Sequence, residues 1–277
     1  MRYGIVTANL GDYANPRVIV RLARTAEMTG WEAFFVWDHL GFVRGVPSGD
    51  PWVILSAVAA STTHLKLGLA VTPLARRRPQ VVANALTSLD LLSGGRVVFG
   101  AGLGGDPEEF TAFGEPGDAK KRAAMLDEGL AVLDGLWSGE PVTHRGPHYT
   151  VEGVFLAPRP LQRPRIPIWI GGESTPALRR AARWDGWLVP TTGHDGRPTM
   201  SKSPERVAEM VAQIRRYRTT EAPFEVVVDG YSEAGDPGLP RSYGAAGATW
   251  WLESTHSMQG TLSQMMARVE VGPPETG

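Results

Sequence analysis

The chain has no cysteine. Disulfides, thiol nucleophiles and cysteine-held zinc or iron–sulfur clusters are therefore excluded. It also lacks any apolar run long enough to span a bilayer. The amino terminus, Met-Arg-Tyr-Gly-Ile-Val, enters a strand pattern without the basic and apolar blocks of a secretory signal. A soluble, cytoplasmic protein with no membrane partner is expected. An excess of charge is missing too, since 28 Lys+Arg against 29 Asp+Glu give a formal net charge of -1. That balance argues against a nucleic-acid partner, which would require phosphate neutralisation. The densest basic cluster, Arg76, Arg77 and Arg78, reads as the solvated start of a helix. What the chain does have is 277 residues, 42% of them hydrophobic, which is ample for a core. Its 33 glycines and 22 prolines suit a fold with many tight strand–helix turns.

Hydrophobic periodicity alternates along the chain. Residues 2–10 read as a strand. Residues 16–29 place Val18, Leu22 and Ala26 on one helical stripe, with Asn15-Pro16 before it and Gly30 behind. The run 32–37 is short and almost wholly apolar, as in a parallel strand buried on both faces. After a Gly- and Pro-rich loop at 40–50, the pattern repeats as helix 51–62, strand 66–72, helix 79–92, strand 96–101 and helix 120–137. Residues 141–165 read as an insertion with a hairpin through 148–155. Strand 167–171, helix 175–184, strand 186–190, loop 191–203, helix 204–218 and strand 224–229 follow. The segment 234–245 reads as a seventh helix eroded to a short turn, before strand 248–253 and helix 258–270. Eight strands, nearly all leading into helices, predict one α/β domain over 1–277. It is a (β/α)8 TIM barrel with a short insertion before strand five and a reduced helix seven. An open doubly wound sheet is the competing architecture.

The unusual residues fall at strand ends. Asp38 and His39 close strand two, Thr72-Pro73 strand three, the glycines of 100–105 strand four, Gly171-Gly172-Glu173-Ser174 strand five, and Thr191-Thr192-Gly193 strand six. In a barrel these ends meet at one mouth, where active sites lie. Alternation puts Trp37 and His39 on one face of their strand and Asp38 on the other. GAGLGG (100–105) matches G-x-G-x-x-G, but no helix opens directly from it, and a dinucleotide fingerprint needs one. It reads either as a mouth loop or as bare backbone that a flat ring system can approach. Ser174 or Thr175 with Pro176 is an ordinary helix start, or one that also holds a phosphate. The other histidines, His64, His144, His148, His194 and His256, form no zinc-helix pair, so no metal is expected.

In their order and wording, several stretches resemble the luciferase-like monooxygenase family. They are GWEAFFVWDHL (30–40), LGLAVTPLARRRP (67–79), LDLLSGGRVVFGAGLGGDPEEFTAFGE (89–115), LDEGLAVLDGLWSGEPVTHRGPHY (126–149), PRPLQRPRIPIWIGGE (158–173) and AARWDGWLVP (181–190). The resemblance implies a bacterial luciferase-like barrel and an oxidoreductase, either a monooxygenase or a hydride-transfer enzyme. The cofactor would be FMN or the deazaflavin coenzyme F-420, and the substrate a small molecule. It implies that His39 lies beside the flavin, with Asp38 as its acidic neighbour. Leu69, Ala70 and Val71 would lie behind the ring with a non-proline cis peptide, Gly102 and Gly104 beside it, and Gly171, Gly172, Glu173 and Ser174 at the cofactor phosphate. It also implies a homodimer. The sugar-phosphate dehydrogenases of the family carry a glutamate just after the strand-four glycines, where this chain has Gly105. Trp37, Phe42 and Trp52 suggest a neutral, partly apolar substrate. The competing functions are a non-catalytic flavin-binding barrel and an NAD(P)-dependent dehydrogenase.

Overall fold

The computed structural model describes residues 1–189 and 202–274. Its helices start where the backbone chemistry requires. Asn15 accepts a hydrogen bond from Arg17 N ahead of α1 (Pro16–Met28). Asp50 accepts from Trp52 N and Val53 N ahead of α2 (Pro51–Ser61). α3 (Pro79–Ser93) likewise opens on proline and closes on Gly94 at φ 72°. Proline fits the first turn because its missing N–H is not needed there, and the carboxylate or amide cap satisfies donors that the helix cannot.

These helices surround parallel strands β1 (Arg2–Thr7), β2 (Ala33–Val36), β3 (Lys66–Leu69) and β5 (Val97–Gly102), with the short β4 (Thr72–Pro73) extending the edge of β5. After α4 (Glu108–Thr111) and α5 (Ala119–Trp137) comes an antiparallel hairpin, β6 (Val142–Arg145) with β7 (Thr150–Val154). The remaining elements are β8 (Ile168–Gly171), α6 (Thr175–Ala181), β9 (Gly186–Val189), α7 (Pro204–Tyr217), β10 (Glu225–Gly230), α8 (Gly238–Ala245), β11 (Trp250–Ser254) and α9 (Leu262–Glu270). The sheet runs β3-β2-β1-β11-β10-β9-β8-β5, and the pairing of Leu67 with Val97 and Gly68 with Val98 closes it. The result is an eight-stranded parallel barrel rather than an open sheet. Closure leaves no free strand edge.

Alternation along the strands divides the core in two. Val6, Phe35, Val98, Trp169, Leu188, Val227, Trp250 and Leu252 fill the barrel, while Phe34, Val36, Leu69, Phe99, Trp187 and Trp251 pack outward against the helices. Inside, Phe35 stacks on Trp169 at 5.3 Å between ring centres, and Trp169 lies 6.1 Å from Trp250. Such large interior rings need small neighbours. Gly68 lies against the Phe35 ring, and a Cβ at Gly100 would overlap the Leu69 carbonyl oxygen.

Several boundaries differ from the sequence reading. The hairpin pairs 142–145 with 150–154, because Glu128 of α5 accepts from the N–H groups of His148 and Tyr149 and turns the chain there. The seventh helix has eight residues rather than one turn. Of the glycines in 234–245, Gly238 and Gly244 lie within the helix, and Gly235, at φ 77°, lies just before it. The last helix begins at Leu262, where Thr261 and Gln264 form a reciprocal capping box. The loop expected at 191–203 falls almost entirely outside the described residues. Gly100→Ala is expected to destabilise the barrel by about 3 kcal/mol, because backbone must move to admit the methyl group. A urea midpoint within error of the unsubstituted protein's would contradict this packing.

Candidate active site at the barrel mouth

β2 ends at Val36, and the next three residues enter the mouth alternating as expected. Trp37 lies on the barrel interior, its ring 5.7 Å from that of His39 and edge-on to it. Asp38 points the other way and is 2% exposed. Asn9, in the loop after β1, holds this segment. Its side-chain amide donates to the carbonyls of His39 and Gly49 at 2.8 Å each, and its Oδ1 accepts from His39 N at 3.2 Å.

Asp38 is buried because two guanidiniums meet it. Arg77 donates to both carboxylate oxygens, at 3.0 and 2.7 Å, and Arg76 Nη2 donates to Oδ1 at 2.8 Å and to the Asp38 carbonyl. The other side of Arg76 donates to Glu109 Oε2, and Glu109 Oε1 lies 2.7 Å from His39 Nδ1. A continuous ionic chain thus runs Arg77–Asp38–Arg76–Glu109–His39. Burial disfavours the Glu109 carboxylate, but the His39 and Arg76 side chains and the Leu40 N–H more than compensate and hold its pKa down at about 2. An ionised carboxylate only accepts, so His39 Nδ1 carries the hydrogen and Nε2 is left for a reacting partner. The His39 side chain remains 33% exposed, as such a role requires.

The solvated-helix reading of Arg76 and Arg77 is corrected by this network, since the Arg76 side chain is only 4% exposed. Glu109 was not among the residues singled out from the sequence. Its short helix, α4, turns it inward beside Phe110. Asp38 keeps the place alternation gave it, but it meets arginines and no open space.

The floor of the mouth is apolar. The Ala70–Val71 peptide is cis, and both residues are partly exposed over the barrel interior. Val71 fits because Gly102 and Gly171 lack side chains. A Cβ on either would come within 2.5 and 2.8 Å of the valine methyl groups. The bare Cα of Gly104, at φ 80°, faces Phe110 and Pro73, and Arg122 donates to the carbonyls of Leu103 and Gly104 at 3.1 Å each. This loop is therefore packed and tethered. The Leu69 side chain is buried outward, so only its backbone reaches the mouth. On the β8 side, Gly172 has φ 128°, its carbonyl accepts from Trp187 Nε1 at 2.7 Å, and Glu173 pairs with Lys202 at 2.6 Å. Ser174 caps α6 by accepting from Ala177 N. Part-exposed Ala70 and Val71, seated against glycines, leave an apolar floor on which a ring system fits. Trp52 is covered by the Arg77 guanidinium, and Phe42 lies on the surface against Phe113.

His256 was missed. It follows β11, is 2% exposed, and its ring centre lies 4.7 Å from that of Trp37. Burial alone drives its pKa down to about 4, so it is neutral at neutral pH. The only available clue was its position two residues beyond a strand end. A cavity of about 430 Å³ lies at the opposite, amino-terminal end of the barrel, lined by Arg2, Glu32, Lys66 and Trp250. The Arg2 guanidinium covers the Trp250 ring there and pairs with Glu225, which marks a structural end rather than a reactive one.

Two measurements test this geometry. Arg76→Met strands buried carboxylates and is expected to cost about 3 kcal/mol or more in urea unfolding, exceeding Arg77→Ala. An equal or smaller loss would contradict the network. Unfolded His256 takes up its proton near pH 6.5, and folded His256 only near 4. Between these values the unfolded state binds more protons, so stability should fall as pH drops from about 6.5 to 4, by at most about 3 kcal/mol. His256→Phe should flatten that slope, and an unchanged slope would show that the ring is not buried neutral.

Residues 1–233 match the luciferase-like monooxygenase family. A Mycobacterium tuberculosis protein of unassigned activity is 30% identical over 240 residues, 78% of each chain. An F420-dependent glucose-6-phosphate dehydrogenase of Microbacterium testaceum is 32% identical over 200 residues. That alignment covers 70% of this chain, which thus spans just over half of the dehydrogenase, 58% of its length. Among solved structures, the coenzyme F420 dependent tetrahydromethanopterin reductase from Methanopyrus kandleri shares the fold, with a TM-score of 0.78 at 18% identity over 98% of this chain and 96% of that one. Taken with the match over most of its length, the closed barrel and the cis peptide at its mouth are what the sequence resemblance implied: the chain belongs to the luciferase-like monooxygenase family.

Proposed function

We propose that the chain is an oxidoreductase that binds FMN or the deazaflavin coenzyme F-420 at the barrel mouth and acts there on a small organic substrate. The observation that carries this reading is a part-exposed imidazole, His39, locked through Nδ1 to an ionised glutamate beside an apolar, glycine-seated floor. When bound, the flavin supplies the hydride or electron transfer. The chain's own residues do the rest. Ala70 and Val71 support the ring, and Gly102 and Gly104 hold the loop beside it. Gly171, Gly172, Glu173 and Ser174, with Lys202 adjacent, are the segment for the phosphate end. His39 holds or delivers a proton at Nε2, and Glu109 fixes the ring through Nδ1. Asp38 acts through Arg76 as a positioning residue.

The family's known members include both sugar-phosphate dehydrogenases and monooxygenases, and the related proteins named above include two that depend on F420. The chain is further read as a cytoplasmic homodimer. No helix among the described residues is long and apolar enough to cross a membrane. The adjacent outer helices α2 and α3 expose Val53 and Val81, at 59% and 61%, a face suited to a second copy.

Titration with FMN and F-420, each oxidised and reduced, tests the proposal. One of them is expected to bind, and His39→Ala and Glu109→Gln are each expected to lower kcat by about a hundredfold or more with little change in flavin affinity. Tight NADH binding without flavin binding would favour a dinucleotide dehydrogenase. Flavin binding with no turnover across a substrate panel, and no effect of His39→Ala beyond affinity, would leave a non-catalytic flavin-binding barrel.

A further inference from the structure

Two imidazoles touch the indole of Trp37, and they are built differently. His39 has a carboxylate behind it and a part-exposed side chain. His256 has neither. Its Nδ1 is enclosed with no hydrogen-bond partner, an unusual condition for a buried polar atom in a native structure. Its Nε2 has no hydrogen-bond partner among the described residues. Among the described residues no carboxylate pairs with it. The charged side chains already placed at the mouth are committed elsewhere: Arg76 and Arg77 to Asp38 and Glu109, and Glu173 to Lys202. A neutral imidazole offers one N–H and one lone pair, so it can meet a hydroxyl or a carbonyl. It brings no charge to a phosphate or carboxylate.

We propose that His256 forms a second pole of the substrate site, hydrogen-bonding through Nε2 to an uncharged oxygen of a substrate whose apolar body lies against Trp37. This rests on the mouth being the redox site, and it deepens that reading by naming the substrate class. The substrate is an uncharged alcohol or carbonyl compound, not a phosphate ester. An anionic group at this pole would meet a neutral ring in an apolar setting, where an unpaired charge is costly. The same ring is too buried to act as a general acid at neutral pH. Its part is recognition, while the proton is handled at His39.

The test uses the full chain, first without cofactor and then saturated with whichever flavin binds. The probes are cyclohexanol, cyclohexanone and glucose 6-phosphate. Imidazole 15N spectra and calorimetric Kd values are recorded for the unsubstituted protein, His256→Phe and His256→Gln. Cyclohexanol or cyclohexanone is expected to bind and to shift the His256 nitrogen resonances. His256→Phe should weaken that binding about tenfold, and His256→Gln, which keeps an uncharged donor and acceptor, should stay within about threefold. Flavin affinity should be unchanged in both variants. The proposal is overturned if neither neutral probe binds, if His256→Phe binds them as well as the unsubstituted protein does, or if glucose 6-phosphate binds more tightly with His256 protonated. Failure of every flavin to bind would instead overturn the redox reading. The 15N shifts in the cofactor-free chain would still report on His256.

Discussion

The site depends on one buried cation. Arg76 stands between Asp38 and Glu109 and pairs with both buried carboxylates at once. Glu109, once ionised, can only accept a hydrogen bond, and that decides which nitrogen of His39 is protonated. Asp38 ties the same guanidinium, and Arg77, to the end of β2. The position of the reactive ring therefore follows from how charge is neutralised several residues away, and Asn9 adds a backbone clamp on His39 itself. A histidine at the rim of a pocket is free to rotate unless something holds it. Here a side-chain bond and a backbone clamp both do.

The second constraint is steric. A barrel interior filled by Phe35, Trp169 and Trp250 leaves little room at the strand ends. Gly68 and Gly100 let β3, β2 and β5 approach closely, and Gly102 and Gly171 seat the side chain of Val71. Gly100 and Gly102, from the stretch that matched a nucleotide-binding loop, thus serve first to close the chain on itself. What they leave at the mouth is the part-exposed, apolar pair Ala70 and Val71.

Much of this was legible beforehand. Period-two patterning identified the strands, and a run as apolar as 32–37 could only be buried on both faces. His39 was visible because alternation after such a run puts every second residue inside. The cis peptide at Ala70–Val71 was implied by resemblance and is present. Arg76 and Arg77 were misread because three arginines in a row, before a proline-started helix, look solvated. Only their partners show otherwise. Glu109 was hidden among spacer residues because its four-residue helix is too short to leave a periodic signal. His256 follows its strand without any neighbouring pattern, and nothing local distinguishes it from a surface histidine.

The sequence by itself determined what depends on neighbours along the chain: the strands and helices, most of their ends, and the residues that stand at strand termini. Only the tertiary structure decided the partnerships that give those residues their chemistry. His39 and Glu109 are 70 positions apart and Asp38 and Arg76 are 38 apart, and closing the barrel brings them into contact. Protonation, burial and charge pairing depend on what surrounds a group, and barrel closure creates those surroundings. A linear pattern can mark a residue as standing at the mouth, but it does not show whether the ring there will be held by a carboxylate, like His39, or left neutral and unpaired, like His256.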